Sequence, residues 1–114
     1  MSEEEAWIQN LKSYMHNHIL KRVPGMLNLL NILSISLTGM DCITLFLTSP
    51  SKLYQLILTH FKGDITTTDY TFKILFLNPI AEYLRNSNIV NELLHLAKIG
   101  RDREFFELIK KYSQ

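Results

Sequence analysis

The 114-residue chain reads as an all-α fold, a compact single domain spanning residues 1–114 and built of about six or seven short helices. Three observations predict this. Apolar residues recur at three- and four-residue spacing, which places them on one face of a helix. Helix start and stop residues punctuate those runs at Pro24, Gly39, Pro50, Gly63, Pro79 and Gly100. No Gly/Ser linker, low-complexity tract or long repeat separates the segments, so one core must hold them all.

The first helix is predicted at about residues 3 to 20. Ser2 with Glu5 forms a capping box, and Glu3 to Glu5 favour the positive end of the helix dipole. Trp7, Ile8, Leu11, Met15 and Ile19 follow at helical spacing, and Lys21, Arg22, Pro24 and Gly25 close the run. From Met26 to Leu37 the apolar content is dense, with Asn28, Asn31, Ser34 and Thr38 forming a thin polar stripe on an otherwise buried helix and Gly39 as its cap. A competing α+β reading takes the alternation in Leu33–Leu37, a turn at Thr38 to Asp41 and an apolar run from Cys42 to Thr48 as a hairpin at about 32–48. Short apolar runs fit both patterns, and the helical one is preferred.

Ser49 and Pro50 give an N-cap and first-turn proline to a helix carrying Leu53, Tyr54, Leu56, Ile57 and Phe61 and ending at Gly63. Thr66, Thr67 and Thr68 before Asp69 predict a capped helix through Phe72, Leu75 and Phe76, with a buried strand over Phe72 to Leu77 as the alternative. Asn78 and Pro79 repeat the cap-and-proline signal. Asn86, Ser87 and Asn88 interrupt the chain before a helix bearing Ile89, Val90, Leu93, Leu94, Leu96 and Ala97, which Gly100 ends. The last helix, from about Arg103, places Phe105, Leu108, Ile109 and Tyr112 on one face, with Arg103–Glu107 and Glu107–Lys111 as surface pairs.

Composition bounds the function classes. A formal net charge of +1 supplies no global field toward phosphate. The lone cysteine, Cys42, excludes an intrachain disulfide and favours a reducing cytoplasm. The acidic start is the opposite of a basic targeting leader. Nineteen Leu and twelve Ile against three Ala and two Val suggest AT-rich coding, as in thermophilic archaea, low-GC bacteria or their viruses. Between Arg22 and Lys52 the only charged residue is Asp41, yet Pro24, Gly25, Asn28, Asn31, Gly39 and Asp41 break any run long enough to span a bilayer. A core segment is the first expectation for this stretch and a subunit interface the second, because a helix apolar nearly all round must be covered.

Candidate chemistry is sparse. His16 and His18 are two residues apart and diverge on a helix, so they cannot share a metal ion. His60 and Asp64 have ligand spacing, but Gly63 ends the helix between them. His95 lies among leucines. Cys42 has apolar neighbours that disfavour a thiolate. Asp41, alone in its stretch, is either a tuned acid or, paired with Thr38, part of a capping box, and the cap is the simpler reading. No phosphate loop, dinucleotide glycine pattern, nucleophile elbow or metal-ligand spacing occurs, so neither enzyme activity nor a cofactor, metal or small-molecule ligand is expected.

The function expected from sequence is a helical protein-interaction module that self-associates as a homodimer, an accessory or regulatory factor. Its anchors would be Trp7, Leu11 and Met15 on the first helix and Phe106, which lies off the apolar stripe of the last. The alternative is a small nucleic-acid-binding regulator using Lys98, Arg101, Arg103, Lys110 and Lys111, although Glu104 and Glu107 among them favour a salt-bridged surface.

Overall fold

The computed structural model describes residues 3–113, and among them every regular element is helical. Helix α1 (Glu3–Arg22) is followed by α2 (Pro24–Thr38), α3 (Cys42–Thr48), α4 (Pro50–His60) and α5 (Ile65–Phe72). A π-helical turn (Lys73–Leu77) leads into α6 (Asn78–Leu84), and a short 3-10 turn (Ser87–Ile89) precedes α7 (Val90–Lys98) and α8 (Asp102–Tyr112). Since α5, the π turn and α6 run as one rod, the eight α-helical segments make seven rods. The hairpin alternative at 32–48 is therefore excluded: this stretch forms α2, a tight turn and α3. A radius of gyration of 13.2 Å matches the ~13 Å of one compact body of this length.

Local signals start and stop most of these helices. Pro24 and Pro50 each occupy the first turn of a helix, where a missing N–H costs nothing. Gly39 takes φ 79° and donates its N–H to the Ile35 carbonyl at 2.9 Å, ending α2 in a left-handed cap. The Ser2–Glu5 capping box involves a residue that lies outside the described residues.

Several caps differ from the sequence expectation. Asp41 itself caps α3: Oδ1 accepts the Thr44 N–H at 2.8 Å and Oδ2 the Thr44 hydroxyl at 2.9 Å. Thr38 instead donates to the Ser34 carbonyl and accepts from the Met40 N–H. At α5 the cap is Asp64, which binds Thr67 through its N–H and hydroxyl, and the threonines lie inside the helix. The Ser49 hydroxyl does not cap α4. It donates at 2.6 Å to Asp102 of α8, and the same carboxylate accepts the Ser51 N–H and hydroxyl, both at 3.0 Å. Asp102 thus caps α4 from a helix 51 residues away along the chain.

Pro79 does not open a new helix either. In a regular α-helix its ring would clash with the Leu75 carbonyl and leave that group without a donor. The π turn just before it relieves this by widening the backbone, with the Asn78 N–H reaching the Lys73 carbonyl five residues back. Phe72, Leu75, Phe76 and Leu77 are all buried, so this stretch is densely apolar because it is the central rod, not because it is a strand.

Phe46 of α3 sits at the middle of the core, its ring centroid 5.7 Å from Phe72, 5.2 Å from Phe76 and 5.6 Å from Phe105. Leu11, Met15 and Ile19 close the cluster from α1, and Leu53 and Ile57 from α4. No single described helix is long and apolar enough to cross a membrane; α2 and α3 together reach the length, but they bend by 60° and four residues of α3 are buried in this core.

Candidate interaction surface

The polar stripe predicted on α2 splits: Asn28 and Thr38 are exposed, while Asn31 and Ser34 turn toward the end of the helix. The tight turn between α2 and α3 exposes backbone groups that need partners, and α2 supplies them. The fully buried Ser34 hydroxyl donates to the Met40 carbonyl at 2.6 Å, and Asn31 Oδ1 accepts the Cys42 N–H at 3.0 Å. With those positions turned toward the turn, Leu27 and Leu30 buried in the core and Met26 and Leu33 packed partly against it, three large apolar residues are left exposed. Ile32, Ile35 and Leu37 are 66%, 53% and 72% exposed. The expected fully buried helix is thus a half-buried one. Helix α2 also carries no Asp, Glu, Lys, Arg or His, so no charge dilutes this face.

Beside it runs a groove of about 660 Å³. Leu33 and Leu37 of α2 form one wall, Leu45, Leu56 and Ala97 lie deeper, and Ile99 closes the far side. Along the opposite lip α4 presents Lys52, Gln55, Thr59 and His60, and Lys98 stands at the end of α7. None of the lining residues is a carboxylate.

The anchors expected on α1 and α8 divide. Leu11 and Met15 are fully buried and belong to the core, Leu11 also lining the pocket described next. Trp7 and Phe106 are half-buried and face each other across a pocket of about 250 Å³, which Ile8, Leu11, Leu47, Ile109 and Lys110 complete. This pocket would admit one side chain. Leu11 and Met15 follow the same helical spacing as Trp7, and spacing alone does not say that α3 and α6 cover them.

The basic residues of the alternative reading are mostly engaged. Lys98 contacts Asp69 at 2.9 Å, Arg101 contacts Glu104 at 2.7 Å and Arg103 contacts Glu107 at 3.3 Å. The Lys111 ammonium lies 5.5 Å from the centre of the Tyr112 ring, and Lys110 lines the small pocket.

The aspartates are committed to structure. The chain has four aspartates, and all eight of their carboxylate oxygens hold a partner. Asp41, Asp64 and Asp102 serve helix starts, while Asp69 accepts the Tyr54 hydroxyl at 2.6 Å and the Lys98 ammonium, tying α4, α5 and α7 together. Burial, then the Asp69 hydrogen bond and charge, push the Tyr54 hydroxyl above its ordinary range. Burial, reinforced by the charge of Asp41, pushes the Cys42 thiol up to about 12, which keeps it a packed thiol at neutral pH.

The histidines do not converge. His16 and His95 are exposed. His60 stacks edgewise on Phe61, 5.0 Å between centroids, while Asp64 is turned to its own helix. His18 Nε2 lies 3.3 Å from Glu82 Oε2, close enough for charge attraction once protonated but not aligned as a hydrogen bond. The same Glu82 oxygen accepts the Tyr14 hydroxyl at 3.2 Å. Among the described residues, no three His, Cys, Asp or Glu side chains gather where they could hold a metal ion. Comparison with family models, curated proteins and solved structures finds no match to this chain.

Proposed function

We propose that this chain is a helical protein-interaction module that self-associates through the outer face of α2 and works by binding rather than by chemistry. The exposed, uncharged apolar face of α2 carries the reading. In a two-fold dimer each residue meets the same patch on its partner, so any charge on that patch meets its like. A helix whose 15 residues include no charged side chain avoids that repulsion while offering Ile32 and Ile35 for burial. The engagement of every aspartate oxygen supports binding over catalysis, since no carboxylate among them is left to serve as an acid or base.

Light scattering over a concentration series tests the proposal. Twice the monomer mass is expected at about 50 μM. Ile32→Glu combined with Ile35→Glu should return the protein to monomer without loss of helical circular dichroism, because both side chains already face outward. A monomer at every concentration up to about 100 μM would remove self-association from the reading.

A further inference from the structure

The groove beside α2 differs in chemistry from the outer face of that helix, and the difference identifies a ligand. Leu33 and Leu37, which line it, sit on the flank of α2, roughly 100° or more around the helix from Ile32. Its floor and far side are Leu45, Leu56, Ala97 and Ile99. The α4 lip is polar, with Lys52 and His60 eight residues apart and so about 12 Å apart along the helix. Lys98 is held by Asp69, but neither Lys52 nor His60 has an acidic partner among the described residues. The nearest helix-start carboxylate, Asp102, is spent on Ser49 and Ser51. An apolar trough of about 660 Å³ with basic groups on one lip and no carboxylate in its lining falls within the size range of small-molecule sites.

We propose that the groove between α2, α4 and the end of α7 binds a free fatty acid, with the acyl chain against Leu33, Leu37, Leu56 and Ile99 and the carboxylate at Lys52 on the α4 lip. Charge selects the occupant. An anionic head group gains the attraction of Lys52, which a neutral one forgoes, and a cation would meet like charge there. The expected head-group contact is a partly exposed ion pair, so it tunes affinity while chain burial supplies most of it.

The test is a fluorescence titration of the full chain with a dansyl-labelled undecanoate. Emission should rise and shift to the blue with half-saturation in the micromolar range, and unlabelled dodecanoate should displace the probe up to about fivefold better than dodecanol. Lys52→Gln with His60→Gln should weaken binding about fivefold. Ile99→Asp, an exposed change that places a carboxylate in the trough, should weaken it about tenfold or more. The Ile32→Glu, Ile35→Glu protein should bind as wild type, so loss of self-association and loss of ligand binding are read separately. Absence of a signal up to about 100 μM overturns the proposal. So does equal displacement by dodecanol, an unchanged affinity in Ile99→Asp, or binding seen only to phosphatidylglycerol vesicles.

Discussion

Helices α2 and α8 pack on the same core, yet they meet solvent in opposite ways. In α8 the interior takes the middle of the apolar stripe: Phe105 and Ile109 are buried, Leu108 is half-buried, Tyr112 is exposed at the end, and the outer face carries Arg103–Glu107 and the neighbouring Arg101–Glu104 pair. In α2 the interior takes Leu27, Leu30 and Ser34, the outer face carries Ile32 and Ile35 with no charge at all, and Leu37 is exposed on the flank beside the groove. The contrast teaches that apolar content does not measure how deeply a helix is buried. What decides burial is how many neighbours the fold places around it, and α2 has neighbours on one side only.

The largest expected effect tests this contrast directly. Phe105→Ala should cost ~3–5 kcal/mol of stability in urea unfolding, because it opens a hole beside Phe46, whereas Ile32→Ala should stay within about 0.5 kcal/mol in the monomer. Equal costs would mean that the outer face of α2 is covered within a single chain.

A second effect concerns α3, which is as uncharged as α2 but lies inside. The unfolded Cys42 thiol ionises near its ordinary value of 9.0, while the folded one keeps its proton to about 12. In that interval the unfolded state loses the proton first, so stability should be intact below pH ~9 and fall as pH rises toward ~12. The raised Tyr54 hydroxyl acts with the same sign. Urea unfolding at a series of alkaline pH values checks this, and Cys42→Ala should flatten the decline to the part due to tyrosine. A wild-type profile with no alkaline decline would place the thiol in contact with water.

Asp102→Ala should cost ~1–3 kcal/mol, since it leaves the Ser51 N–H and two hydroxyls at a partly buried helix start without their acceptor. Removing the exposed Glu107 from its pair with Arg103 should change stability by less than ~0.5 kcal/mol. Asp41→Ala should lower stability by about 1 kcal/mol, the usual worth of an N-cap, with the fold unchanged. A far larger loss would show that the turn after α2 depends on Asp41 for more than capping.

What was legible in the sequence was local. Pro24, Pro50, Gly39 and Gly100 act within a few residues of themselves, and the helices they bound fall where expected. The candidate surface was half legible. The uncharged stretch before Lys52 signalled a segment needing cover, but the residues first chosen as anchors, Leu11 and Met15, share their spacing with Trp7 and differ only in what packs over them. Asp102 and Pro79 mark a second limit. The partners of Asp102 are 51 and 53 residues away, and Pro79 carries the same Asn–Pro signature whether it opens a helix or sits inside a widened one. Both outcomes depend on tertiary placement, which no short window of sequence contains.

The π turn at Lys73–Leu77 makes the central rod sensitive to chain length in a way that composition does not. It holds one residue more than an α-helical path would need, and each residue advances a helix by about 100°. Deleting a single position there would leave hydrophobicity and helix propensity almost unchanged. It would also swing α6 by roughly a quarter turn, carrying Glu82 and Tyr83 away from Tyr14 and His18 on α1. Insertions and deletions in this segment should therefore be far less tolerated than substitutions, and the register of the C-terminal half against the N-terminal half is held by five residues in the middle of the chain.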